Sequence, residues 1–165
     1  MKTVQHKKQV LWLSVIFILS LVLDVGTKKI AAKNMRVGQS ISVIPNFFNF
    51  TLVHNTGAAF GMGAQSSRPL FLGVSLIAFL VLCGVFYKMH YKSMLSKVGA
   101  VLIVSGAIGN LLDRFLQGYV IDFFDFYVGS FHWHVFNVAD TTISIGAGLF
   151  ILEMILDRKN KPKSV

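Results

Sequence analysis

Uncharged apolar stretches recur four times along the chain. Each comes close to the roughly 20 residues of helix that a bilayer core about 30 Å thick requires. The first begins at Val10, runs uncharged to Leu23 and continues through Asp24 toward Ala32. The second is Pro69–Tyr87, with Pro69 suited to a first helical position. The third, Val98–Leu116, is rich in Gly99, Ala100, Ser105, Gly106, Ala107 and Gly109, as expected where helices pack closely in lipid. The fourth, Asn137–Leu156, carries Gly146 and Gly148 and ends in a basic tail. The pattern predicts a membrane all-α protein of one domain, residues 1–165, with transmembrane helices at about 10–32, 69–87, 98–116 and 137–156.

Two connections break this pattern. Between Gln39 and His54, Ile41 and Val43, then Phe48, Phe50 and Leu52, alternate with more polar neighbours. Pro45-Asn46 marks a turn, so two short strands are expected there. The stretch Gly118–Phe136 is rich in aromatic residues and holds only Asp122 and Asp125 as charges. It is expected as a short interfacial segment, where aromatic rings are favoured.

Composition agrees. The chain is 54% apolar and 14% charged, against about a quarter charged in soluble domains. That excludes a disordered chain and an ordinary cytosolic enzyme. The single cysteine, Cys83, excludes a disulfide scaffold and reads as a buried apolar residue in mid-span. The net charge of +9 has a topological reading. The N-terminus, the loop Lys88–Lys97 and the tail after Asp157 hold Lys2, Lys7, Lys8, Lys88, Lys92, Lys97, Arg158, Lys159, Lys161 and Lys163. The other two connections hold only Lys33, Arg36 and Arg68. The positive-inside rule therefore puts both termini in the cytoplasm and requires no nucleic-acid partner. A cleavable signal peptide competes for residues 1–23, but no small-x-small cleavage site follows the apolar run, so a retained anchor is expected.

The seven acidic residues carry the candidate chemistry. Glu153 and Asp157 are expected to meet the basic tail. Asp24, Asp113, Asp122, Asp125 and Asp140 all map to the outer half of the membrane or the outer loops, and an ionisable group at such depth is a functional candidate. Asp24 stands four residues before Lys28, a favoured intrahelical pair. Asp113 and Arg114 are adjacent and cannot face each other, so each needs a partner elsewhere. Asp125 reads as a solvated loop carboxylate. Asp140 reads as a first-turn acid behind an Asn137 cap. Asp122 has no basic residue within seven positions and apolar neighbours on both sides, which raise a carboxyl pKa. Should the fold bring Asp122 to Asp140, the pair would share a proton, one carboxylate deprotonating water while the other donates. His132-Trp133-His134, extended, would put both imidazoles on one face and with a carboxylate could bind zinc. No nucleophile elbow or nucleotide-binding loop is present.

Five blocks resemble the lipoprotein signal peptidases, the signal peptidase II family. Asp24-Val25-Gly26-Thr27-Lys28 is similar to the family's Asp-Gln-x-Ser/Thr-Lys block. Asn55-Thr56-Gly57-Ala58-Ala59-Phe60, Gly106-Ala107-Ile108-Gly109-Asn110-Leu111-Leu112-Asp113-Arg114, Val120-Ile121-Asp122-Phe123 and Phe136-Asn137-Val138-Ala139-Asp140 match further blocks in order and spacing. The resemblance implies four spans, an extracytoplasmic β-cradle at about 38–60 and an aspartyl endopeptidase of the bacterial inner membrane. It would cut prolipoproteins before a diacylglyceryl-modified cysteine. The resemblance moves Asp140 from cap to catalyst beside Asp122. It places Asp24, Lys28, Asn55, Gly57, Gly109, Asn110, Asp113, Arg114, Asn137 and Ala139 around them. No cofactor or metal is expected. The expected partners are lipidated prolipoprotein substrates and membrane lipids, and the protein is expected to act as a monomer. Val25 departs from the family's Gln, and the His132–His134 stretch falls where the family often carries Pro. The alternatives left open are a small ion-coupled transporter and a metal-dependent membrane hydrolase using His132 and His134. The Gly- and Ala-rich third and fourth helices are expected to leave room for substrate between them.

Overall fold

The computed structural model describes residues 2–57, 68–89, 91 and 93–160. Ala58, Ala59 and Phe60 of the second block, the end of the 38–60 region, and Lys92, Lys161 and Lys163 lie outside the described residues. Four helices are long and apolar enough to cross a membrane. They are α1 (Lys2–Asn34), α2 (Arg68–Lys88), α3 (Met94–Leu116) and α4 (Val138–Asn160). The strands are β1 (Ser40–Ile44), β2 (Phe48–Asn55), β3 (Val120–Val128) and β4 (Phe131–His132). They form one antiparallel sheet in the order β1-β2-β3-β4.

Helix α3 starts four residues before the apolar run because Ser93 caps it. The Ser93 Oγ accepts from Leu95 N at 3.1 Å and Ser96 N at 3.4 Å, which carries the helix through Lys97. Helices α3 and α4 form the tightest seam in the bundle. A Cβ on Gly99 would lie 2.9 Å from the Gly146 carbonyl, and one on Gly146 would lie 2.6 Å from the Gly99 carbonyl. A Cβ on Gly106 would collide with the Ala139 carbonyl. The small residues therefore close this interface, and no room for substrate lies along it, contrary to expectation. Helix α2 packs against α3, stacks Phe86 on Phe150 of α4 and presents Val74, Ile77, Leu80 and Val81 outward. Cys83 on α2 is half-buried, where full burial was expected. Glu153 Oε1 accepts from Ser96 Oγ of α3 at 3.3 Å, while the side chains of the basic tail lie outside the described residues.

The β1–β2 turn falls at Pro45–Phe47, with Asn46 at φ 62° and its N–H donated to the Tyr127 hydroxyl at 2.9 Å. The aromatic stretch after Gly118 is ordered as strand β3. Strand β3 pairs along β2, with Phe48 opposite Phe126 and Val53 opposite Asp122. Phe48, Phe50, Phe124 and Phe126 pack ring against ring across that pairing. Below the sheet, Leu52, Ile121 and Phe123 meet Ala31 of α1 in the apolar core. That contact fixes β3 over the ends of α1 and α3.

Candidate active site

Successive strand residues point to opposite faces. Ile121 and Phe123 enter the apolar core, so Asp122 turns to the other face. Its Oδ1 accepts from Asn137 Nδ2 at 2.6 Å and its Oδ2 from Asn55 Nδ2 at 2.9 Å. It is 2% exposed. Burial pushes its pKa up to about 6. The Asn55 hydrogen bond opposes the rise, the Asp140 charge adds to it, and Asn137 and the Lys28 charge pull it down again.

Asp140 lies in the first turn of α4. Asn137 Oδ1 accepts from Asp140 N at 3.0 Å, and Asp140 Oδ2 accepts from Asn137 N at 3.2 Å. This is a reciprocal capping box with Asp in the place usually taken by Glu or Gln. Asp140 is thus the capping acid read from the sequence and also lines one cavity with Asp122. That cavity of about 530 Å³ is lined by both aspartates with Asn55, His134, Thr141 and Ser144 among others.

Two amides bridge the carboxylates. Asn137 Nδ2 reaches Asp122 and also Asn110 Oδ1, at 3.1 Å. Asn110 Nδ2 donates to Asp140 Oδ1 at 2.8 Å. Lys28 polarises this bridge by donating to Asn110 Oδ1 at 2.9 Å. The ammonium has three donors and here three acceptors: the others are Asp24 Oδ2 at 2.8 Å and Asp113 Oδ2 at 3.0 Å. Buried charges need such pairing, and Lys28 is only 2% exposed.

The surrounding residues hold this network. Asp24 Oδ1 accepts from Ala139 N at 2.8 Å, satisfying a free N–H at the start of α4. Gly109 permits that approach, because a Cβ there would collide with Asp24 Oδ2. Asp113 Oδ2 also accepts from Ile121 N at 3.2 Å and so anchors the start of β3. Gly57, at φ 76°, donates its N–H to Asn55 Oδ1 at 2.9 Å and so orients the amide that faces Asp122. Arg114 makes no ion pair within 4.0 Å among the described residues; its Nη1 reaches Asn110 O at 3.4 Å. It lies within electrostatic reach of Asp140, Asp122 and Asp113.

Asp125 differs from expectation. It is 3% exposed, not a solvated loop carboxylate. Strand pairing buries it beside Thr51, whose Oγ1 donates to its Oδ2 at 2.7 Å, and His132 Nδ1 lies 2.9 Å from its Oδ1. Burial alone would raise its pKa, but the hydrogen bonds from His132 and Thr51 outweigh that and hold it below the ordinary carboxylate value. His132 is therefore engaged with Asp125 while His134 lines the cavity. Among the described residues no three His, Cys, Asp or Glu side chains gather as a metal site. Thr141 and Ser144 were not singled out from the sequence. Ser144 follows Asp140 by one helical turn, the spacing that would have placed it on the same face.

Fold and site together define a polytopic membrane protein in which a small sheet closes one end of four helices over a pair of bridged carboxylates. The chain belongs to the signal peptidase II family, whose model, described as signal peptidase (SPase) II, matches residues 16–156. It is 40% identical over 152 residues to the lipoprotein signal peptidase of Geobacter metallireducens, covering 91% of this chain and 94% of that one. It is 40% identical over 154 residues to that of Photorhabdus laumondii, covering 92% and 90%. A solved bacterial membrane enzyme is similar in fold with a TM-score of 0.76 and 33% identity, covering 93% of both chains. The transporter and metal-hydrolase alternatives are not favoured by this membership.

Proposed function

We propose that this protein is an aspartic-type endopeptidase that removes signal peptides from diacylglyceryl-modified prolipoproteins. In this reading it cuts before the lipidated cysteine of the lipobox. Its site faces outward from the bacterial inner membrane, and both termini are cytoplasmic. The observation that carries the reading is that Asp122 and Asp140 line one cavity and are joined through Asn137 and Asn110. Asp140 removes a proton from water, and the water oxygen bonds to the scissile carbonyl carbon. Asp122, whose pKa of about 6 keeps a proton nearer neutrality than an ordinary carboxyl, donates to the carbonyl oxygen. Collapse of the intermediate breaks the C–N bond. The amine leaves with the proton that Asp140 took, and Asp122 recovers its own from the hydroxyl. Arg114, without an ion pair among the described residues and within electrostatic reach of both carboxylates, is placed to steady charge on the substrate.

The test uses purified protein in detergent and a diacylglyceryl lipobox peptide. Asp122→Asn and Asp140→Asn should each lower turnover at least about 100-fold while the protein stays folded. The double variant should be little worse, because residues acting as a unit are non-additive. Substantial turnover by either single variant removes the dyad. Equal cleavage of a matched peptide without lipid removes the substrate class.

A further inference from the structure

A second cavity lies between α1 and the sheet. It measures about 440 Å³ and is lined by Thr27, Ile30, Ala31, Asn34, Met35, Ile41, Phe50, Phe123 and Phe124. It shares no lining residue with the cavity of the two aspartates. Its two polar residues turn their donors inward: Thr27 Oγ1 donates to Leu23 O at 2.7 Å and Asn34 Nδ2 to Ile30 O at 2.7 Å. The cavity therefore presents methyl groups and aromatic rings and suits a hydrocarbon chain. Its depth suits one as well. At about 1.5 Å per residue, α1 from Val10 onward has crossed the hydrocarbon core by the turn that carries Ile30 to Asn34. The cavity opens where acyl chains join their headgroups.

Two cationic residues adjoin the lining residues along the chain. Lys33 is one turn from Ile30 on the same flank of α1, and Arg36 follows the lining residue Met35; both side chains are exposed. Residues 25–57 contain no Asp or Glu. The carboxylates of the neighbouring strand, Asp122 and Asp125, are buried and engaged elsewhere. An apolar slot bordered by uncompensated positive charge matches a phospholipid with a net negative headgroup. We infer that this crevice between α1 and the sheet binds one anionic phospholipid, an acyl chain against Phe50, Phe123 and Phe124 and the phosphate at Lys33 and Arg36. A lipid there would brace β3, the strand that carries Asp122.

The site is read by binding, so its failure is separate from failure of the catalytic reading. Protein in neutral detergent is titrated with phosphatidylglycerol or phosphatidylcholine of the same chains, and thermal unfolding is followed. Phosphatidylglycerol should stabilise at concentrations on the order of tenfold lower. In Lys33→Gln/Arg36→Gln that preference should vanish, while Ile41→Trp, which crowds the mouth, should weaken the response to both lipids. Native mass spectrometry of the unaltered protein should retain a single phosphatidylglycerol. Equal responses to both lipids, a preference that survives the double variant, or full stabilisation by glycerol phosphate alone would each overturn the inference.

Discussion

Asp122 is a carboxyl whose proton is worth free energy to the fold. Its pKa is about 6 in the folded chain against an ordinary aspartate value of 3.8, so between those values the native state binds more protons than the unfolded one. The stabilisation is complete below about pH 4 and is lost as pH rises through about 6. The shift corresponds to something on the order of 3 kcal/mol at most. Thermal unfolding in detergent should show this decline, and Asp122→Asn should flatten it. Asp125 works in the opposite sense. Its pKa is depressed, so its contribution is present above the ordinary carboxylate value and fades as pH falls through its own lower one. Replacing Asp125 by Asn should reduce stability at neutral pH and leave it little changed under acid conditions. A profile that keeps its neutral-pH stability would remove the role given to the Thr51 and His132 contacts.

At the scale of elements, the α1–α3–α4 junction depends on a close approach. Asp24 can cap α4 only because Gly109 has no side chain. Gly109→Ala should destabilise the protein by about 1–3 kcal/mol through overpacking. Asp24→Asn should cost about 3 kcal/mol, because Lys28 loses a buried partner. In both variants the loss of turnover should follow the fraction unfolded. A fully stable Asp24→Asn protein without turnover would instead make Asp24 part of the chemistry. Four helices were legible because each apolar run has the length of a span, and the Asp24–Lys28 pair was legible from its spacing. The start of α3 was not, because Lys97 ends the uncharged run while the Ser93 cap lies outside it. The third strand was hidden for a different reason. Its partner β2 lies some 70 residues earlier in the chain, and no local pattern in Gly118–Phe136 reports that pairing. Asp125 was misjudged with it, since its burial follows from the strand. The pair Asp122 and Asp140 was permitted by position alone, and the five-block resemblance was needed to join them.

Across the whole molecule, the residues that meet at the two aspartates come from distant parts of the chain: Lys28 from α1, Asn55 from β2, Asn110 from α3, Asp122 from β3, and Asn137 and Asp140 from the start of α4. No two neighbouring elements contain the constellation. On the proposed mechanism, the amide bridge ties activity to completion of the fold. By the same mechanism, a chain whose last span has not docked holds Asp122 without Asn137 and lacks the second acid, so it should be inactive. Activity should then appear abruptly with the final helix. When residues 1–130 and 131–165 are produced as separate pieces, each should be inert, and cleavage should emerge only on their association. A protease built this way is harmless until it is finished.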